Sequence, residues 1–216
     1  MLENNISCAI KLFVLGNFAV GKTSLINKFV YNKFREIYLP TIGFDYATKN
    51  IILPNEKRVK ISFHDTAGQE RYRSIAFNLI KSANGVILTY DITNRETFNA
   101  IPEWINNIRE HKGEDFPIAL IGNKCDLEEE REVKTEEGKE LARKYGFLFY
   151  ETSSKEGNNV QESILELALN IFEQKKKEGK IEEKNEEKNE KKIEKKNDKK
   201  IILKIFKMPR RKKCKC

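Results

Sequence analysis

The chain has 216 residues, 39% of them hydrophobic, and a formal net charge of +8. That charge belongs to the last 42 residues, where 19 Lys/Arg face 8 Asp/Glu for a net +11, leaving −3 for residues 1–174, a length sufficient for one buried α/β core. No apolar run approaches the ~18–20 residues of a membrane span and the start does not read as a secretory leader, which argues against an integral membrane protein and a secreted disulfide scaffold.

In chain order, CAIKLFVLG (8–16) reads as an apolar strand ending at a glycine, and the amphipathic KTSLINKFVYNKF (22–34) as the helix that follows. FDYATKNIIL (44–53) and KRVKISFHDTAG (57–68) flank the turn-prone PNEK and predict an antiparallel hairpin. GVILTYD (85–91) is almost wholly apolar, as a parallel strand buried on both faces should be. Thr93 to Glu96 has capping-box spacing, and Pro102 marks the first turn of the main helix after a break. PIALIGN (117–123) is another buried strand. TEEGKELARKYG (135–146) is a helix with Thr135 as cap, Glu136 and Glu137 at its positive end and Gly146 as its stop. FLFYETS (147–153) is the last strand, and NVQESILELALNIFEQ (159–174) closes the body with apolar residues at helical spacing. Strands alternating with helices specify a doubly wound α/β domain over residues 1–174. From about Lys175 the composition collapses to Lys, Glu and Asn, which suits a solvated helix or a disordered linker. Cys8 and Cys125 are expected as reduced core or loop thiols.

Four motifs, each after a predicted strand, carry the chemistry. Gly16 to Ser24, GNFAVGKTS, has phosphate-loop spacing and opens a helix. There the N–H groups of Ala19, Val20, Gly21, Lys22, Thr23 and Ser24 can point at phosphate oxygens. Lys22 offers a point charge to the β- and γ-phosphates, and the Thr23 hydroxyl can coordinate Mg²⁺. In DTAGQE (65–70), Asp65 at a strand end suits Mg²⁺ through water, Gly68 permits close approach to a γ-phosphate, and Gln69 could orient an attacking water. In NKCD (123–126), beginning with Asn123 and Lys124, the Asp126 carboxylate can accept from guanine N1–H and its exocyclic amine; adenine would leave it unpaired. In ETSSK (151–155) the backbone of Ser153, Ser154 and Lys155 could meet the guanine carbonyl. All four fall where an open parallel sheet binds ligands.

Gly16–Thr23, Thr41, Asp65–Gln69, Asn123–Asp126 and Ser153–Lys155 together resemble the Ras superfamily of small GTPases over roughly residues 7–174. TIGFDY (41–46), DTAGQERYRSI and a terminal Cys-x-Cys resemble the Rab branch most. The resemblance implies a P-loop NTPase small G domain, a six-stranded mostly parallel sheet with five helices, binding GTP/GDP and Mg²⁺. It implies Gln69 and Lys22 as catalytic residues, Thr23, Thr41 and Asp65 around the metal, and Phe34 against the guanine. It implies switch segments at 36–46 and 67–82 that meet effectors, an exchange factor, a GTPase-activating protein and a GDP-dissociation inhibitor. The expected protein is a monomer that regulates vesicle traffic, does not bind nucleic acid, and works on the cytoplasmic face of an intracellular membrane with a cytosolic pool.

The departures concern partners and rate. His64 stands where Rab proteins usually carry Trp, and reads as an interface or packing residue. Leu79, Ile80 and Lys81 replace the usual Tyr-Tyr-Arg. Ala19 in place of glycine adds one methyl group. Phe18 either crowds Gln69 and an incoming arginine finger, giving a slow-hydrolysing GTP-bound membrane scaffold, or swings outward and leaves hydrolysis ordinary. The tail, residues 175–216, ends in KIILKIFKMPRRKKCKC (200–216), eight Lys/Arg without an acid. Cys214 and Cys216 there resemble a double prenylation site, and two chains, or one plus a basic patch, anchor stably. A nucleic-acid-binding arm is the alternative reading of those charges alone.

Overall fold

The computed structural model describes residues 6–35, 44–66 and 80–181. Six strands form one sheet: β1 (Cys8–Leu15), β2 (Phe44–Ile52), β3 (Arg58–Thr66), β4 (Gly85–Asp91), β5 (Ile118–Asn123) and β6 (Leu148–Thr152), in the spatial order β2-β3-β1-β4-β5-β6. Every neighbouring pair is parallel except the β2–β3 hairpin. The hairpin turns through Glu56 at φ 62°, with Leu53 N–H donating to Lys57 O at 2.9 Å.

The helices are α1 (Lys22–Tyr31), α2 (Arg95–Asn99), α3 (Ile101–Lys112), α4 (Thr135–Tyr145) and α5 (Val160–Lys177). α2 and α3 are separated at Ala100, and Pro102 sits in the first turn of α3, where its missing N–H costs nothing. The pleat sorts β1 between two cores. Ile10, Leu12 and Val14 pack with α1 and α5 through Leu25, Phe29, Leu167 and Ile171. Phe13 and Leu15 pack on the other face with Trp104, Ile105 and Ile108 of α3. Strands buried on both faces carry no polar alternation, which is why β4 and β5 read as continuous apolar runs.

Two expected caps move by one residue. Asn94, not Thr93, caps α2: its Oδ1 accepts from the N–H of Glu96 at 3.0 Å and of Thr97 at 3.4 Å. The Thr93 hydroxyl is held by Asp91 Oδ1 at 2.7 Å. Thr135 is the first residue of α4 rather than its cap, because its hydroxyl donates to Glu151 across to β6 at 3.0 Å; the Lys134 N–H is met by the Glu137 carboxylate instead. Gly146 ends α4 in the left-handed conformation as expected. α5 continues to Lys177, and Ile181 packs against the core. Cys8 and Cys125 are free, half-buried thiols. Among the described residues no helix is long and apolar enough to cross a membrane.

Candidate functional site

The phosphate end of the site is the turn between β1 and α1. Gly16 takes φ +135°, and a Cβ there would lie 2.1 Å from Thr89 O, so only glycine lets the loop leave β1 against β4. Gly21 takes φ +95°, and its Cβ would meet Asn123 Nδ2 at 2.2 Å. Val20 between them is fully buried, while Ala19 sits at φ 59°. Ties of the loop to its surroundings include Asn123 Nδ2 donating to Val20 O at 2.9 Å and Trp104 Nε1 donating to Asn17 Oδ1 at 2.9 Å.

Lys22 opens α1 and is buried. Its ammonium donates to the carbonyls of Gly16 (3.0 Å) and Asn17 (2.7 Å), so the loop wraps around it. Burial lowers its pKa from 10.5 to about 8, with the Asp65 charge opposing the shift. Thr23 Oγ1 donates to Asp65 Oδ2 at the end of β3, where Asp65 is 2% exposed. A hydroxyl and a buried carboxylate side by side are hard oxygen donors of the kind Mg²⁺ selects, so the residues present fit the ion. Ser24 follows in the first turn of α1.

The base end lies one strand further across the sheet. Asn123 ends β5 almost fully buried and joins both ends of the site. Besides reaching Val20, its Oδ1 accepts from Thr152 Oγ1 (3.1 Å), Ser154 Oγ (3.0 Å) and Ser154 N–H (3.3 Å). Lys124 turns the chain at φ 68° and pairs with Asp91 at 2.5 Å. Cys125 N–H donates to Thr152 O at 3.0 Å, leaving Asp126 half-buried at the rim. Ser153 and Ser154 are buried, Lys155 is exposed, and Phe34 stands 38% exposed after α1. The structure thus brings Gly16, Ala19 to Ser24 and Asp65 to one end of a cradle and Asn123, Lys124, Asp126 and Ser153 to Lys155 to the other.

Thr41, Gly68, Gln69, Leu79, Cys214 and Cys216 lie outside the described residues. Ile80, expected with its neighbours on a partner surface, is fully buried and belongs to the core beside α3. Lys81 is exposed. His64 has the packing role expected of it: its ring stacks on Phe13 (4.5 Å, 3°) and meets Tyr46 edge-on (5.2 Å). Burial, then the nearby Lys11, lowers its pKa below the usual imidazole value. Phe18 is 46% exposed.

Sequence reasoning missed the ties that hold the loops. Trp104 is the one tryptophan of the chain, and an indole N–H near the surface end of a core helix calls for an acceptor. Nothing in the sequence names Asn17 as that acceptor.

A family model for the Ras family matches residues 11–173. The chain belongs to the Ras family of small GTPases. Ras-related protein Rab-3C of Bos taurus is 42% identical over 161 residues, covering 74% of this chain and 70% of that protein. Ras-related protein Rab-3B of Homo sapiens is 43% identical over 161 residues, covering 74% and 73%. Within the family the chain is therefore Rab-like: a GTPase that switches with bound guanine nucleotide and regulates vesicle traffic.

Proposed function

We propose that the cradle from Gly16 to Lys155 is one Mg²⁺-dependent site at which the protein holds GTP, hydrolyses it and retains GDP. The observation that carries this is Asn123, whose single amide joins Val20 in the phosphate loop to Ser154 in the base loop. The N–H groups of Ala19 to Ser24 and the Lys22 ammonium take the phosphates, and Thr23, Asp65 and Thr41 would hold Mg²⁺, which would supply neutralisation of phosphate charge. Asp126 selects guanine, Lys124 and Phe34 lie against the base, and Ser153 to Lys155 close its far edge. Gln69 orients the attacking water, Gly68 meets the γ-phosphate, and Lys22 with the loop N–H groups stabilises charge developing on the leaving oxygen. Segments 36–46 and 67–82 change with the γ-phosphate and carry effectors and regulators. Tyr46, exposed beside His64 on the β2–β3 hairpin, belongs to that surface, and His64 makes it unlike one built on Trp. Prenylated Cys214 and Cys216, with the basic tail, hold the protein on the cytoplasmic face of a membrane.

The likeness to Rab relatives favours ordinary hydrolysis over a braked scaffold. Single-turnover GTP hydrolysis by the full chain with Mg²⁺ tests both readings, run beside Phe18→Gly and Gln69→Leu. Wild type is expected within about twofold of Phe18→Gly, with Gln69→Leu at least tenfold slower, the scale set by loss of a positioned group. A wild type as slow as Gln69→Leu, accelerated by Phe18→Gly, would instead establish the scaffold.

A further inference from the structure

The loop from Ser153 to Asn158 is closed on itself. Gly157 N–H donates to Ser153 O (2.7 Å), Ser153 N–H to Asn158 O (3.2 Å) and Glu156 N–H to Ser153 Oγ (3.0 Å). A turn bonded in this way moves as a unit, so what fixes it against the rest of the molecule decides where its backbone stands. On the inner side Ser154 is fixed by Asn123. On the outer side Lys28, in the middle of α1, reaches across and donates from Nζ to Lys155 O at 3.2 Å. Its stem crosses Gly157, where φ is +98° and an added Cβ would stand 2.7 Å from Lys28 Cε. Glycine at 157 therefore does two things: it takes the left-handed turn and leaves room for the lysine. α1 carries Lys22 and Thr23 at its start, so the helix that holds the phosphate groups also holds the base loop.

We propose that Lys28 is a positioning residue for the bound nucleotide, a cationic strap that fixes the base loop and lengthens the residence time of GDP and GTP. The inference rests on the reading of Ser153 to Lys155 as part of the base pocket. A charge-assisted bond to a loop carbonyl pre-orders the loop, so less ordering is left for the binding step and the bound loop opens less often. The contact is exposed, which keeps its effect modest.

The test is release of a fluorescent GDP analogue from the full chain with Mg²⁺, for wild type, Lys28→Met, Lys28→Arg and Lys33→Met. Lys28→Met keeps the stem and removes the donor; release is expected about threefold faster, the scale of one exposed charge-assisted bond, with association changed by less than about twofold. Lys28→Arg should restore release to within about twofold, because a guanidinium reaches the same carbonyl. Lys33→Met removes an exposed neighbouring cation and should match wild type. Release from Lys28→Met at the wild-type rate overturns the proposal. So does equal acceleration by Lys28→Met and Lys28→Arg, which would assign the effect to packing, or by Lys33→Met, which would assign it to overall charge. A wild type that fails to hold GDP at all removes the base pocket itself, and the strap with it.

Discussion

Lys22 has a charge whose environment opposes it until a phosphate arrives. Enclosed by the loop carbonyls and the core, its ammonium sits at a pKa of about 8. A phosphate beside it stabilises the charged form and raises that value. Below pH ~8 the lysine is protonated with or without nucleotide, and affinity does not depend on its titration. Above ~8 the protein alone gives up the proton and must regain it on binding, so affinity falls as pH rises, by up to about tenfold per unit. Titrating the protein with fluorescent GDP from about pH 7 to 9.5 should show a plateau and then this decline, with proton uptake visible by calorimetry in buffers of different ionisation heat. Lys22→Met should bind weakly and without the break near 8. A wild-type profile parallel to that of Lys22→Met would show that the lysine does not titrate there.

At the scale of elements, the strands and their order of use were legible. Each motif follows an apolar run, and a doubly wound sheet puts the ends of its parallel strands together on one edge. The hairpin was legible from PNEK between two strand-forming runs. The caps slipped because Thr93 and Asn94 are adjacent and equally able to cap, and because Thr135 had a better partner in Glu151 than its own helix. Ties such as Asn17–Trp104, Asp91–Lys124 and Lys28–Lys155 join positions far apart in the chain, and no local pattern announces them. Arg131 makes another such hidden link. It sits after β5, 14% exposed, and forks onto Glu128 and onto Glu151 at the end of β6. Glu151, also 14% exposed, immediately precedes the base loop's own strand end. Replacing Arg131 by Met leaves that carboxylate with the Thr135 hydroxyl alone, and should cost about 2 kcal/mol, below the range for a fully buried pair. Glu128 is 68% exposed, so Glu128→Gln should cost less than about 0.5 kcal/mol. Urea unfolding of both variants decides whether the pair with β6 or the surface pair matters; equal costs would reject this assignment.

At the scale of the whole molecule, charge separates what the fold does from where it works. The body to residue 174 carries −3 and the remainder +11, so the nucleotide domain alone has no attraction for an anionic surface. The charge of the remainder is itself uneven: residues 182–199 mix Lys with Glu and Asp, whereas 200–216 hold eight Lys/Arg and no acid. Each basic residue near an anionic leaflet contributes about 1 kcal/mol, within a range set by the Debye length. Chain made without lipid modification should therefore bind vesicles containing phosphatidylserine, not neutral ones, and should release as salt rises. A chain ending at Ile181, which packs against the core, should not bind, and neither should one lacking only 200–216. Removing 182–199 should leave binding intact, since that stretch contributes spacing more than charge. Co-sedimentation of the four chains measures this directly. If removal of 182–199 abolished binding as well, the mixed-charge stretch would be part of the contact, and the separation of spacer from anchor would be wrong. Prenyl groups on Cys214 and Cys216 would then add a component that salt does not reverse, because burial of the isoprenoid chain depends on apolar area and not on screening. That difference distinguishes a membrane anchor from an arm for nucleic acid, whose binding salt reverses throughout.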